Sequence, residues 1–267
     1  MALCYIGTSG WCYRHWRECF YQGIAQKDWL TFYAERFAAV EINASFYRLQ
    51  THKALQDWFQ RTPANFRFAL KANRYLTHNK KLRAAEKSIL IEKAHAQALG
   101  EKLAVVLWQL PANLKKDIAR LSSFVDALGQ WREVRHSMEF RHVSWFDDET
   151  ADCLARANVA ICQADAADWP IWRHVTTDLV YLRLHGHSRT YASSYTDNEL
   201  SDWADHIAVW QSQGKVVHVY FNNDTECAAP LNALVLRTLL ERHQARFDKV
   251  ECAARASSAI DSPNSGG

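Results

Sequence analysis

The sequence lacks the marks of several large protein classes. No apolar run approaches the ~20 residues that a membrane-spanning helix needs, so no span is expected. Prolines number five and glycines nine in 267 residues, too few for a collagen-like repeat or a Pro/Gly-rich low-complexity chain. The seven cysteines (Cys4, Cys12, Cys19, Cys153, Cys162, Cys227 and Cys252) are odd in number, scattered and contain no CxxC pair. Neither a disulfide framework nor a thiolate zinc site is expected, and reduced cytosolic thiols are the plain reading. A dinucleotide-type GxGxxG, a phosphate-loop GKS/T and a GxSxG nucleophile elbow are all missing. That argues against a nicotinamide-type sheet, a P-loop NTPase and a serine hydrolase of that kind. Met1 to Trp11 has no basic stretch followed by a long apolar core, so no secretory signal is read and a cytoplasmic location is expected.

What is present is ordinary for a globular chain: 48% hydrophobic and 23% charged residues, with a net charge of +3. That balance gives no blanket attraction to nucleic acid or to an anionic membrane, so any basic patch has to be local. Eleven tryptophans call for a deep core or an aromatic-lined cleft.

Short β-type runs recur about every thirty residues: Cys4–Thr8, Ala39–Ile42, Phe66–Lys71, Leu103–Gln109, Val134–Phe140, Val159–Ala164, Leu179–Leu184 and Val216–Phe221. Amphipathic stripes lie between most of them, such as Leu30, Tyr33 and Phe37, or Leu200, Trp203, Ile207 and Trp210. Eight strands alternating with helices predict an α/β fold, a single (β/α)8 TIM-type barrel spanning residues 1–252. The alternative is a doubly wound sheet. The stretch Asp165 to Asp178 has little helical pattern, and the small polar run from Ala253 to Gly267 is expected to be a disordered tail.

Catalytic groups of such a barrel come from the C-terminal ends of its strands. Most of the apolar runs end in a polar residue: Glu41 and Asn43, Lys71, Gln109, Glu139 and Arg141, Asp165, Arg183 and His185, and Asn222. Period-two alternation allows these to point inward together. An internal salt-bridge network that closes the barrel is the structural reading of the charges. An active site is the functional one, since so many buried charges at one end are costly unless used. On that reading Lys71, Arg141 and Arg183 bind an anion, with Asn43, Gln109 and Asn222 as further substrate contacts. Glu41 and Glu139 are candidates for base duty and His185 for acid duty. A divalent metal is left open: Glu41, Glu139, Asp165 and His185 are ligand types, but the His185-Gly186-His187 triplet alone does not predict a metal site. Aromatic residues in the loops, among them Trp11, Tyr13, Tyr47, Trp145 and Tyr191, either stack on a ring of the substrate or pack the loops.

The same strand ends carry a family resemblance. IGTSGWCY from Ile6, VEINASFYRL from Val40, FALKANRYLTH from Phe68, QLP from Gln109, EFRHVSWF from Glu139, RLHG from Arg183 and FNND from Phe221 occur in order. They resemble the YecE-like family, domain of unknown function 72, from about Ile6 to Leu239. The resemblance implies a TIM-type barrel and a site at Glu41, Asn43, Lys71, Gln109, Glu139, Arg141, Arg183, His185 and Asn222. It implies no activity. After FNND the family usually has glycine where this chain has Cys227, a departure that bears on the shape of the last loop and places a thiol near the mouth.

The resulting expectation is an enzyme of hydrolase or isomerase/lyase type acting on an anionic, oxygen-rich substrate. A phosphorylated sugar and a nucleic-acid phosphodiester are the leading cases. The alternative is a non-catalytic protein that binds nucleic acid or an anionic metabolite.

Overall fold

Strands buried on both faces read as near-continuous apolar runs, and each of the eight runs forms a strand in the computed structural model, which describes residues 2–260, with side chains to Ala245. They are β1 Cys4–Thr8, β2 Ala39–Ile42, β3 Arg67–Lys71, β4 Leu103–Gln109, β5 Arg135–Glu139, β6 Val159–Asp165, β7 Leu179–Leu184 and β8 Val216–Phe221. All pair in parallel, in the order β1-β8-β7-β6-β5-β4-β3-β2. The helices between them are α1 Trp29–Ala34, α2 His52–Gln60, α3 Ala85–Ala96, α4 Ile118–Leu128, α5 Asp148–Arg156, α6 Asp197–Ser212 and α7 Ala228–Ile260. The sixth unit has no helix between β6 and β7, as the weak pattern over Asp165 to Asp178 suggested.

Helix starts follow their caps. Thr51, Asp117, Asp147 and Thr196 each accept a backbone N–H of the first turn, and Thr196 with Glu199 completes a capping box before α6. Two apolar layers result. The larger lies between strands and helices and contains Trp16, Trp108, Phe124 and Trp145, all fully buried. The smaller fills the barrel with Ala39, Ala69, Val105, Leu107, Ala160, Cys162, Tyr181 and Tyr220. Small residues on β2, β3 and β6 leave room for the tyrosines of β7 and β8.

The seam between β1 and β2 is closed differently from the rest. Gly7 sits so near β2 that a Cβ would lie 1.9 Å from the Ala39 carbonyl oxygen. The Tyr33 hydroxyl from α1 fills the gap in the ladder: it accepts from Thr8 N–H at 2.8 Å and donates to the Ala39 carbonyl at 3.2 Å. Beyond it the strands meet at an isolated bridge between Ser9 and Glu41, with Gly10 N–H donating to the Glu41 carbonyl at 2.8 Å. One tyrosine thus satisfies backbone groups that a direct ladder would otherwise pair.

The final helix runs to Ile260, so the backbone at the start of the run from Ala253 is helical. Residues 261–267 lie outside the described residues. One expectation is corrected: the cysteines are not all free. Cys19 and Cys227 form a disulfide with Cα atoms 6.4 Å apart, across 208 residues of sequence, within the usual span for such a bridge. Closure of the barrel sets the loop after β1 beside the loop after β8, a proximity that sequence spacing does not show. Cys227 has φ 66, in the left-handed region that favours glycine. The chain accepts that conformation with a side chain and gains the cross-link. Cys4, Cys12, Cys153 and Cys162 are free. Alkylation of the denatured, unreduced chain is expected to spare two cysteines, and Cys19→Ser to lower stability by about 2–4 kcal/mol. Full alkylation before reduction would show that the bridge does not form.

Candidate active site

Inward alternation brings the strand-end residues together as the sequence implied. Glu41, Lys71, Glu139 and Arg183 are all buried at the C-terminal mouth, with Arg141 just beyond β5. Arg183 is the hub. Its Nη2 and Nε hold the two oxygens of Glu41 at 2.8 and 3.0 Å, and its Nη1 holds Glu139 at 2.9 Å. The other oxygen of Glu139 accepts from Arg141. Glu41 also accepts from the Ser9 hydroxyl at 2.5 Å and the Tyr181 hydroxyl at 2.7 Å. Every oxygen of both carboxylates is therefore occupied, and buried charges survive because they are paired and hydrogen-bonded.

The electrostatics follow from this pairing. Burial alone would raise both carboxyls, but Arg183 beside Glu41, and Arg141 with Arg183 beside Glu139, hold them below the ordinary value. Burial and Glu41 keep the Tyr181 phenol protonated, so it donates. His185 is fully buried, with Asn222 3.0 Å from Nδ1 and the Arg183 guanidinium 3.3 Å from Nε2. Burial and the cations Arg183, Arg141 and Lys71 push it well below 6.5. It is a neutral imidazole whose Nε2 accepts. Lys71 stands 4.2 Å from the centre of the Phe46 ring, and no carboxylate among the described residues comes within ion-pair distance of it. Burial and Arg183 lower its ammonium to about 7, against the opposing pull of Glu139 and Glu41.

The remaining expected residues are less engaged. The Gln109 side chain has no hydrogen-bond partner among the described residues, and Asn43 Oδ1 is buried without one. Asn43 lines a cavity of about 280 Å³ with Trp11, Tyr13, Tyr47 and Trp58, beside the charged cluster. Asp165 faces away from the axis, bonded to the Tyr195 hydroxyl at 2.7 Å and to His187 at 3.2 Å. Gly186, at φ 101, turns the chain sharply after β7, so His185 points inward while His187 lies on the rim. They are not a ligand pair. Among the described residues no group of three or more His, Cys, Asp or Glu side chains is placed to hold a metal ion. The carboxylates that would have served are taken by arginines.

Three participants escaped the sequence reading. Ser9 shares the inward register, and alternation puts Tyr181 on the face of Arg183 and His185 without assigning it a role. Trp169, whose ring carries the Arg141 guanidinium at 3.3 Å and contacts His185, comes from the irregular segment after β6 and had no signal.

A (β/α)8 barrel whose mouth is a buried, charge-paired cluster is the class that this fold and site define. The model of a family described as protein of unknown function DUF72 matches residues 5–257, and the chain belongs to that family. It is 26% identical over 277 aligned residues to the UPF0759 protein YunF of Bacillus subtilis (strain 168), across 90% of this chain and 95% of that one. Its structure is similar to those of two DUF72 family proteins. TM1631 of Thermotoga maritima MSB8 matches with TM-score 0.81 and 24% identity, covering 90% of this chain and 99% of that one. EF0366 of Enterococcus faecalis V583 matches with TM-score 0.77 and 19% identity, covering 90% and 96%. Among the described residues no helix is long and apolar enough to cross a membrane.

Stability should fall from near neutral pH downward. His136 and His218 are buried and lowered to about 4 and about 3 by burial first, and His185 is lowered as well. Below 6.5 the unfolded chain takes up protons that these three folded imidazoles refuse, so stability declines as pH drops from 6.5 toward their folded values. Glu41 and Glu139 act in the same direction below their ordinary 4.5. Each fully refused proton contributes about 1.4 kcal/mol per pH unit. Urea midpoints from pH 8 to pH 5 check this; a flat profile across that range would contradict it.

Proposed function

We propose that the mouth is an active site for an anionic, oxygen-rich substrate, with a phosphorylated sugar or a nucleic-acid phosphodiester as the leading class. The observation that carries this reading is how unevenly the polar groups are satisfied. Glu41, Glu139 and Arg183 spend themselves on one another, whereas Lys71 has no carboxylate within ion-pair distance among the described residues, and the buried Asn43 oxygen has no partner. An unmet buried polar group costs about 1–3 kcal/mol, and these two stand together at the mouth, where a substrate could meet them.

Roles follow from what each group has left to offer. Arg141, stacked on Trp169, presents the rest of its planar fork to an anion, and Lys71 adds charge beside it. Arg183 and Glu41 act as positioning residues rather than as anion clamp and base, since their hydrogen-bonding capacity is used internally. His185, held neutral and resistant to protonation, takes part through hydrogen bonding rather than by supplying acid. Glu139 orients Arg141 and stands next to His185. Asn43, Gln109 and Asn222 meet hydroxyl or carbonyl groups of the substrate. The cytoplasmic location belongs to the same proposal; the Cys19–Cys227 bridge is the observation that runs against it.

Inorganic phosphate, glucose 6-phosphate and a short single-stranded oligonucleotide test the reading by thermal shift. A ligand at a hundred times its Kd adds about 2.7 kcal/mol to stability. At least one of the three is expected to raise the unfolding midpoint in the wild type and not in Arg141→Ala. No shift with any of them, or an equal shift in the variant, would count against an anion site at the mouth.

A further inference from the structure

Lys71 is the one group of the cluster whose chemistry the pairing leaves free. It ends β3 on the inward face, and the strand end is fixed: Lys71 pairs with Leu107 of β4, and its carbonyl accepts from the Ser45 hydroxyl at 2.6 Å. The residue is buried, with 7% of its surface exposed. Its apolar neighbour is the Phe46 ring. The carboxylates that would ordinarily neutralise a buried ammonium, Glu41 and Glu139, are held by Arg183 and Arg141. A lysine desolvated on an apolar surface beside other cations, with no anion of its own, is the setting in which the free amine becomes a nucleophile.

We propose that Lys71 attacks the carbonyl carbon of an aldehyde or ketone that also bears a phosphate or carboxylate, forming an imine. The proposal rests on the reading of the mouth as an anion site, with Arg141 holding the substrate's anionic group. In the step, the amine lone pair forms the new C–N bond and the carbonyl π pair moves to oxygen. One amine proton passes to that oxygen to give the carbinolamine. The hydroxyl then leaves, taking the second amine proton, so that one water is released and no oxidant or reductant is consumed. Facing the amine are Arg183, Arg141, Glu139, Glu41 and, from the loop after β3, His78. Their combined effect with burial lowers the ammonium to about 7, so about half is free amine at neutral pH, against roughly one part in a thousand for an exposed lysine.

Reductive trapping tests this on the full chain. The protein is incubated at pH 7 with glycolaldehyde, pyruvate or dihydroxyacetone phosphate, treated with sodium cyanoborohydride, and mapped by peptide mass spectrometry. Lys71 is expected to label at least about tenfold faster than any exposed lysine, and anionic probes to lose their advantage over glycolaldehyde in Arg141→Ala. Lys71→Met removes the adduct, and its raised unfolding midpoint shows that it folds, because it no longer buries an unpaired cation. If Lys71 labels no faster than the exposed lysines, the proposal fails. If that happens while phosphate still raises the unfolding midpoint, the anion site stands without the imine. If glycolaldehyde labels Lys71 but the anionic probes gain nothing from Arg141, the amine is reactive and the anion reading is the part that fails.

Discussion

The Arg183 guanidinium, bridging Glu41 of β2 and Glu139 of β5 from β7, is the interaction on which the mouth depends. Three strands that are not neighbours are joined through one planar group whose every nitrogen is used. Removing one partner of such a buried assembly leaves an uncompensated charge, typically at a cost of about 3–5 kcal/mol. The same geometry has a chemical consequence. Because the guanidinia take both carboxylates, the remaining cation, Lys71, has no carboxylate within ion-pair distance among the described residues, and His185 beside Arg183 stays neutral. Structure and reactivity at this end of the barrel come from one allocation of charge.

The seam where the barrel closes is linked to that allocation. β1 and β2 approach through Gly7 and the Tyr33 hydroxyl, and the last contact across the seam joins Ser9 to Glu41 through both backbone and side chain. Glu41 thus anchors the hub and the closure together. On the other side of β1, the Cys19–Cys227 bridge ties the first loop to the last, beside Trp16, whose indole donates to the Asp224 carbonyl at 3.1 Å. The loops over the mouth are held by the joints that complete the barrel.

Much of this was legible in the sequence for a specific reason. Parallel strands buried on both faces produce apolar runs, and the polar residue that ends such a run stands out; Glu41, Lys71, Gln109, Glu139 and Arg183 were found that way, and alternation put them on one face. The allocation of partners was not legible. Lys71, Arg141 and Arg183 look equivalent along the chain, and only the distances distinguish the hub, the arginine stacked on Trp169 and the lysine left without a carboxylate. Two further features depended on three-dimensional closure: a cysteine pair separated by 208 residues, and a tyrosine on α1 that completes a strand ladder. The segment carrying Trp169 follows neither a helical nor a strand period, so nothing marked it.

The central claim is that the pairing of both carboxylates with arginine leaves Lys71 as a buried amine without an anion. The most direct measurement is the titration of its side chain by carbon-detected NMR on protein labelled in lysine, with the resonance assigned by Lys71→Met. A midpoint at about 7 is the result this account requires. A midpoint near the ordinary 10.5 would mean that Lys71 shares the carboxylates after all, and would contradict it.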